Sequence, residues 1–182
     1  MSPTSAAAVP AARTHPRLRG WALAAAAVLT PALGATQTAP ERRNWFDDPF
    51  FQIASAIAGC PEPAGPRITE DERRVQSHHR AEKGTTCWLA GQCDRPNFYA
   101  YDADIAQAFK AALQAANPFA RASLWVTVQG RVVYIEGCVA EPGMEAALEA
   151  YARALPGVQQ AIAAVFVPNS AARAPYRLLS AP

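Results

Sequence analysis

Four cysteines, two adjacent histidines and a scatter of carboxylates are the residues of this sequence with reactive side chains. Cys60, Cys87, Cys93 and Cys138 suit two chemistries: zinc ligation as thiolates, or disulfide closure in an oxidising compartment. His78 and Glu82 stand at the i, i+4 spacing of a helical zinc pair. Adjacent histidines such as His78 and His79, however, point about 100° apart on a helix. Cys87 and Cys93 are six residues apart, no Cys-x-x-Cys pair is present, and oxidised cysteines do not ligate. The pattern reads as a solvated helix face beside disulfides, with no metal site.

Covalent catalysis needs a nucleophile, a base and an orienting group. His15 lies in the leading segment, Cys87 near His78 and His79 is silenced by oxidation, and Asp102 and Asp104 suit a helix start. There is no Gly-rich phosphate loop. The sequence therefore predicts no catalytic residue, no cofactor and no small-molecule substrate. Ile57-Ala58-Gly59-Cys60 has the form of a lipoprotein acylation box, but Phe46-Asp47-Asp48-Pro49 precedes it where an apolar run is required. That match is read as chance.

The oxidising compartment is itself a reading. Arg13, Arg17 and Arg19 precede the apolar run 20–33, and Ala32-Leu33-Gly34 or Leu33-Gly34-Ala35 supplies a small-residue exit. This is the layout of a secretory signal over 1–35, cleaved after Gly34 or Ala35. Pro31 interrupts the run, which falls short of the roughly 20 residues of a membrane span. The expected location is the periplasm of a Gram-negative bacterium, with outer-membrane association as an extension. Of 17 Lys+Arg against 15 Asp+Glu, three arginines belong to the signal, leaving 14 against 15 and a net charge of −1. No dense basic stripe remains for nucleic acid.

Behind the signal the chain divides into a linker (36–48), a cysteine-containing helical extension (49–100), a regular α+β part (101–168) and a flexible C-terminal tail (169–182). Phe50, Ile53, Ala54 and Ile57 fall at i, i+3, i+4, i+7, which predicts a short amphipathic helix. Three prolines and Gly65 after Cys60 end it. Thr69-Glu70-Asp71-Glu72 is a capping box starting a charged helix to Lys83, with Gly84 as its stop. The stretch from Thr85 to Asn97 reads as loop. Asp102 is the expected N-cap of the next helix, with Ile105, Phe109, Ala112 and Ala116 on one face. Leu124–Val128 and Val132–Val139 read as a hairpin around Gln129-Gly130-Arg131. Glu141-Pro142 opens a second helix with Ala147, Leu148, Tyr151, Ala152 and Leu155 buried, and Val158–Val167 is a third strand. The order αββαβ predicts a sandwich with both helices on one face of a three-stranded sheet.

The hairpin Val126–Val139, the helix exit Ala152–Val158 and the strand Ala161–Val167 resemble the BON domain (bacterial OsmY and nodulation), and Gly137 and Gly157 match its two characteristic glycines. The resemblance covers about residues 101–168. It implies a non-enzymatic, envelope-associated domain that binds phospholipid or anchors on protein. Two departures stand out: Ala163 and Ala164 replace the usual polar residues, and Cys138 sits where a small polar residue is common.

Strand alternation places Trp125, Tyr134 and Cys138 on the face opposite the helices. A bare face of that kind would be an exposed apolar patch, so the N-terminal extension is expected to fold over it. Of the three connectivities four cysteines allow, Cys87–Cys93 as a short local loop and Cys60–Cys138 as a staple of the extension to the sheet are favoured, the alternative being that Cys138 is a free, buried thiol. The functional expectation is a non-enzymatic envelope module contacting a phospholipid membrane surface, through apolar residues or a cluster such as Arg173 and Arg177. The alternative is an assembly subunit docking on another envelope protein through a sheet edge or the helix from Thr69 to Lys83.

Overall fold

A computed structural model describes residues 40–169 and 173–179; the signal expected over 1–35 and the start of the linker lie outside the described residues. Residues Phe50–Ser55 form strand β1 rather than a helix. A register shift between Gln52 and Ala54 leaves Ile53 as a bulge. That extra residue breaks the two-residue alternation, and the disturbed spacing mimics a helical one. Asn117 donates its side-chain amide to the freed Ile53 carbonyl at 3.1 Å, so the bulge leaves no orphan acceptor there.

Helix α1 spans Glu70–Leu89 and opens on the capping box: Glu72 N–H donates to the Thr69 hydroxyl, and Thr69 N–H donates to the Glu72 carboxylate at 2.7 Å. Gly84 does not stop it. The glycine is buried beneath the Asn97 amide, where a Cβ would stand 2.9 Å from Nδ2, so its smallness serves close packing inside the helix.

A 3-10 turn, Phe98–Tyr101, leads into α2 (Asp102–Ala115). Strands β2 (Ser123–Gln129) and β3 (Val132–Cys138) form the hairpin. Helix α3 (Glu145–Arg153) and β4 (Gln160–Phe166) complete the order. The helix starts after Glu141-Pro142 because Gly143 takes φ +82, a left-handed turn outside helical space.

The sheet runs β1-β2-β3-β4, antiparallel except for the β3–β4 pair. The α+β order predicted for the C-terminal part is present, with a fourth strand contributed by the extension. One face carries Leu124, Val126, Val128, Val133 and Ile135, fully buried with Ile105 and Phe109 of α2 and Leu148 of α3. Each such side chain contributes about 1.5–3 kcal/mol relative to exposure.

The opposite face is closed by chain from both ends of the described region. Cys60 is bonded to Cys138, with Cα atoms 5.8 Å apart across 78 residues. Ala64 N–H donates to Arg177 C=O, and Leu179 N–H to Glu62 C=O. Tyr176 is buried, and its hydroxyl donates to Pro61 C=O at 2.9 Å. The expectation of a flexible tail is thus corrected over 173–179, because Tyr176 has the ring of Phe166 to pack on.

Gly137 tests the tightness of the hairpin. It takes φ +145, and a Cβ there would lie 2.1 Å from the Ser123 carbonyl oxygen. Gly137→Ala is expected to cost about 3 kcal/mol or more, by steric clash and backbone strain together. Gly143→Ala, with nothing within 4 Å of the new methyl, is expected to cost only about 1–2 kcal/mol of left-handed backbone strain. Urea denaturation of the two variants measures the difference.

Candidate binding surface

The polar residues best placed for chemistry hold the fold together. Asp102, 3% exposed, is not an N-cap: the helix enters through the preceding 3-10 turn, which frees the carboxylate to face the hairpin. Gly130 N–H and Arg131 N–H donate to its two oxygens, each at 2.7 Å. Both residues have positive φ, +60 and +63, the conformation of a type I′ turn. Arginine is strained there by about 1–2 kcal/mol, and Arg131 has compensating contacts. Its guanidinium lies 4.5 Å from the Tyr101 ring and 5.6 Å from Phe98, and its Nε donates to Gly157 C=O at 2.8 Å. Burial pushes the Asp102 carboxyl above its ordinary range despite the two backbone amides.

A second polar centre docks α1. Arg80 pairs with Asp48 while lying between the rings of Phe46, at 3.9 Å, and Tyr99, at 4.2 Å. Gln129 donates to the same Asp48 oxygen at 2.7 Å. The Arg80 and Asp48 side chains are only 13% and 4% exposed. A pair this buried persists because every charged group has a partner. Arg73, over Trp45 at 5.7 Å, and buried Gly84 continue the inner face of the helix. An inner face of this kind carries no apolar period for sequence reading to find.

On the covered sheet face, Glu136 is half-buried and its carboxyl is pushed up by burial, against the opposing influence of Arg177. The Tyr176 hydroxyl is pushed up to about 12 by burial and by the nearby Glu136 charge. Arg177 pairs with Glu72 at 3.2 Å and donates to Arg67 C=O. Its side chain, 41% exposed, thus helps to hold the cover of this face.

The outer end of α1 presents a different surface. Cys87 is bonded to Cys93, and between them Trp88 and Leu89 are 47% and 80% exposed. Beside this loop, Lys83, Thr86, Phe98, Tyr99, Gln129, Gly130, Val132 and Tyr134 line a groove of roughly 460 Å³. Sequence reading overlooked Trp88 and Leu89. The available signal was an apolar pair inside a small cysteine-bounded loop, which has no room to bury it.

His78, His79 and Glu82 are exposed on α1. Among the described residues no group of three or more His, Cys, Asp or Glu side chains is placed to hold a metal. Asp104 pairs with Arg95. Cys60, the cysteine of the acylation-box match, is in the long disulfide.

The BON domain family model matches residues 101–165. No curated protein and no solved structure matches the chain. The chain therefore carries a BON domain over α2, β2, β3, α3 and β4, and this family is one of phospholipid- and envelope-binding domains, generally without enzymatic activity.

Two substitutions probe the buried carboxylates. Asp102→Asn keeps one acceptor and turns an N–H₂ toward the second backbone amide, so a loss of about 1–3 kcal/mol is expected, read by urea unfolding. Glu136 titrates above its ordinary value of 4.5 when folded. The folded state therefore binds more protons than the unfolded state just above that value, and stability falls as pH rises through the folded pKa. Glu136→Gln is expected to be more stable than the wild type at pH 7, with the advantage vanishing below pH 4.5. Melting curves across that range, showing no such convergence, would refute the assignment.

Proposed function

We propose that the chain is a non-enzymatic binding module of the bacterial envelope, working in the periplasm and contacting a phospholipid membrane surface. The BON match over 101–165 is the observation that carries this reading. It is supported by the use of the buried ionisable groups: Asp102, Asp48, Arg80 and Arg131 are all occupied in holding turns and helices. No described helix is long and apolar enough to cross a membrane, so the contact proposed is peripheral. With residues 36–182 at a net charge of −1, uniform electrostatic adsorption to anionic lipid is weak, and apolar contact has to contribute.

Docking on another envelope protein is the second reading. It is favoured by the groove that β1, at the edge of the sheet, makes with α2, lined by Phe51, Ile53, Lys110 and Leu113.

The experiment is co-sedimentation of the oxidised chain with phosphatidylethanolamine–phosphatidylglycerol vesicles at low and moderate salt. Deleting residues 101–168 would not locate the contact, because β1 pairs with β2 and the deletion dismantles the sheet. Pelleting at both salt concentrations, weaker at the higher, is the expected result. No pelleting at either concentration rejects lipid contact and leaves protein docking.

A further inference from the structure

We infer that the disulfide-closed loop at the end of α1 is the element that enters the bilayer interface, with Trp88 and Leu89 as its inserting residues. This rests on the membrane reading above and places the contact outside the matched domain.

The loop displays apolar surface with little around it. All five residues from Trp88 to Gln92 are exposed, and nothing lies within 4 Å of where a Cβ on Gly91 would stand. Among the described residues, Val75, Ile162 and Leu179 are the other exposed large apolar side chains, and they lie far apart in sequence, as is ordinary for a soluble surface. Trp88 and Leu89 are adjacent, the last two residues of α1, and the turn that follows them is tied back to the helix by Cys87–Cys93, with Cα atoms 5.4 Å apart. The bond removes part of the ordering cost that a flexible loop would meet on binding.

The chemistry of the loop favours lipid over protein. Tryptophan concentrates at the membrane–water interface, where its ring is half in and its N–H stays wet. Leucine gains by transfer to the acyl boundary. A stable protein interface needs roughly 800 Å² from each partner, far beyond what two residues on a five-residue tip offer.

The arginines of this region are already paired, Arg73 and Arg74 with Glu70, Arg80 with Asp48 and Arg95 with Asp104, so attraction to an anionic leaflet is weak here and the contact rests on apolar insertion, helped by Lys83. Lys83, exposed on the turn before Cys87, is the closest basic charge in sequence ahead of the loop.

The test uses the oxidised full chain with phosphatidylethanolamine–phosphatidylglycerol vesicles, with and without brominated acyl chains that quench tryptophan. Trp88→Ser with Leu89→Ser is expected to lower partitioning about tenfold or more and to abolish the bromine quenching, with an unchanged melting curve. Gln92→Trp, which adds an aromatic ring to the same exposed tip, is expected to raise partitioning several-fold and keeps the test open if the double variant folds poorly. Wild-type binding that the double variant matches, or quenching that survives it, overturns the inference while leaving the membrane reading intact. No binding by the wild type rejects both.

Discussion

A sheet has two faces, and α2 and α3 cover only one of them. The other exposes Trp125, Tyr134 and Phe166, together with the half-buried Glu136, and the fold depends on how that face is closed. The Cys60–Cys138 bond carries the constraint. It holds the chain after β1 against the end of β3, and from there residues 61–68 cross the face to reach α1. The C-terminal segment completes the cover by bridging to the same stretch at Pro63 and Leu178. A bond across 78 residues is the case in which constraint of the unfolded chain stabilises most. Here it also explains how an extension rich in proline keeps a defined path.

The charged residues follow from the same constraint. Around the buried Pro63, Ala64, Ile68 and Tyr176, the cover is docked by polar and cation–aromatic contacts. Arg80 and Arg73 stack on Phe46, Tyr99 and Trp45, and Glu72 receives both Arg42 and Arg177 while capping α1. Within the matched domain, Asp102 and Arg131 join the start of α2, the hairpin turn and the turn at Gly157. Side chains that resemble a reactive cluster in sequence are consumed by these tasks. What remains outward at the end of α1 is the Trp88–Leu89 pair, 47% and 80% exposed.

Legibility varied with how local each determinant is. The hairpin, α3 and β4 were readable because Val126, Val128, Val133 and Ile135 alternate and Leu148 and Ala152 share a helical face, and each segment meets its partners nearby in sequence. The capping box at Thr69 was readable for the same reason. Strand β1 is not legible from periodicity because a single bulge at Ile53 shifts the alternation, and because its partner strand lies beyond the whole extension. The length of α1 is hidden because Gly84, usually a stop, is required there by the Asn97 side chain above it. The role of Asp102 is hidden because the amides of Gly130 and Arg131 reach it only once the hairpin is folded.

The amino-acid sequence by itself determined the α+β class, the order of the last five elements, the matched domain and the glycines its turns require. It also marked Trp125, Tyr134 and Cys138 as a face needing a cover. The tertiary structure alone decided that β1 is a fourth strand, that 173–179 belongs to the lid, that α1 docks through arginine–aromatic stacking, and that Trp88 and Leu89 stay outside. The physical reason is common to all of these. Periodicity records which face of a segment is buried, whereas the identity of the burying partner depends on contacts between residues far apart in the chain, and only folding brings them together.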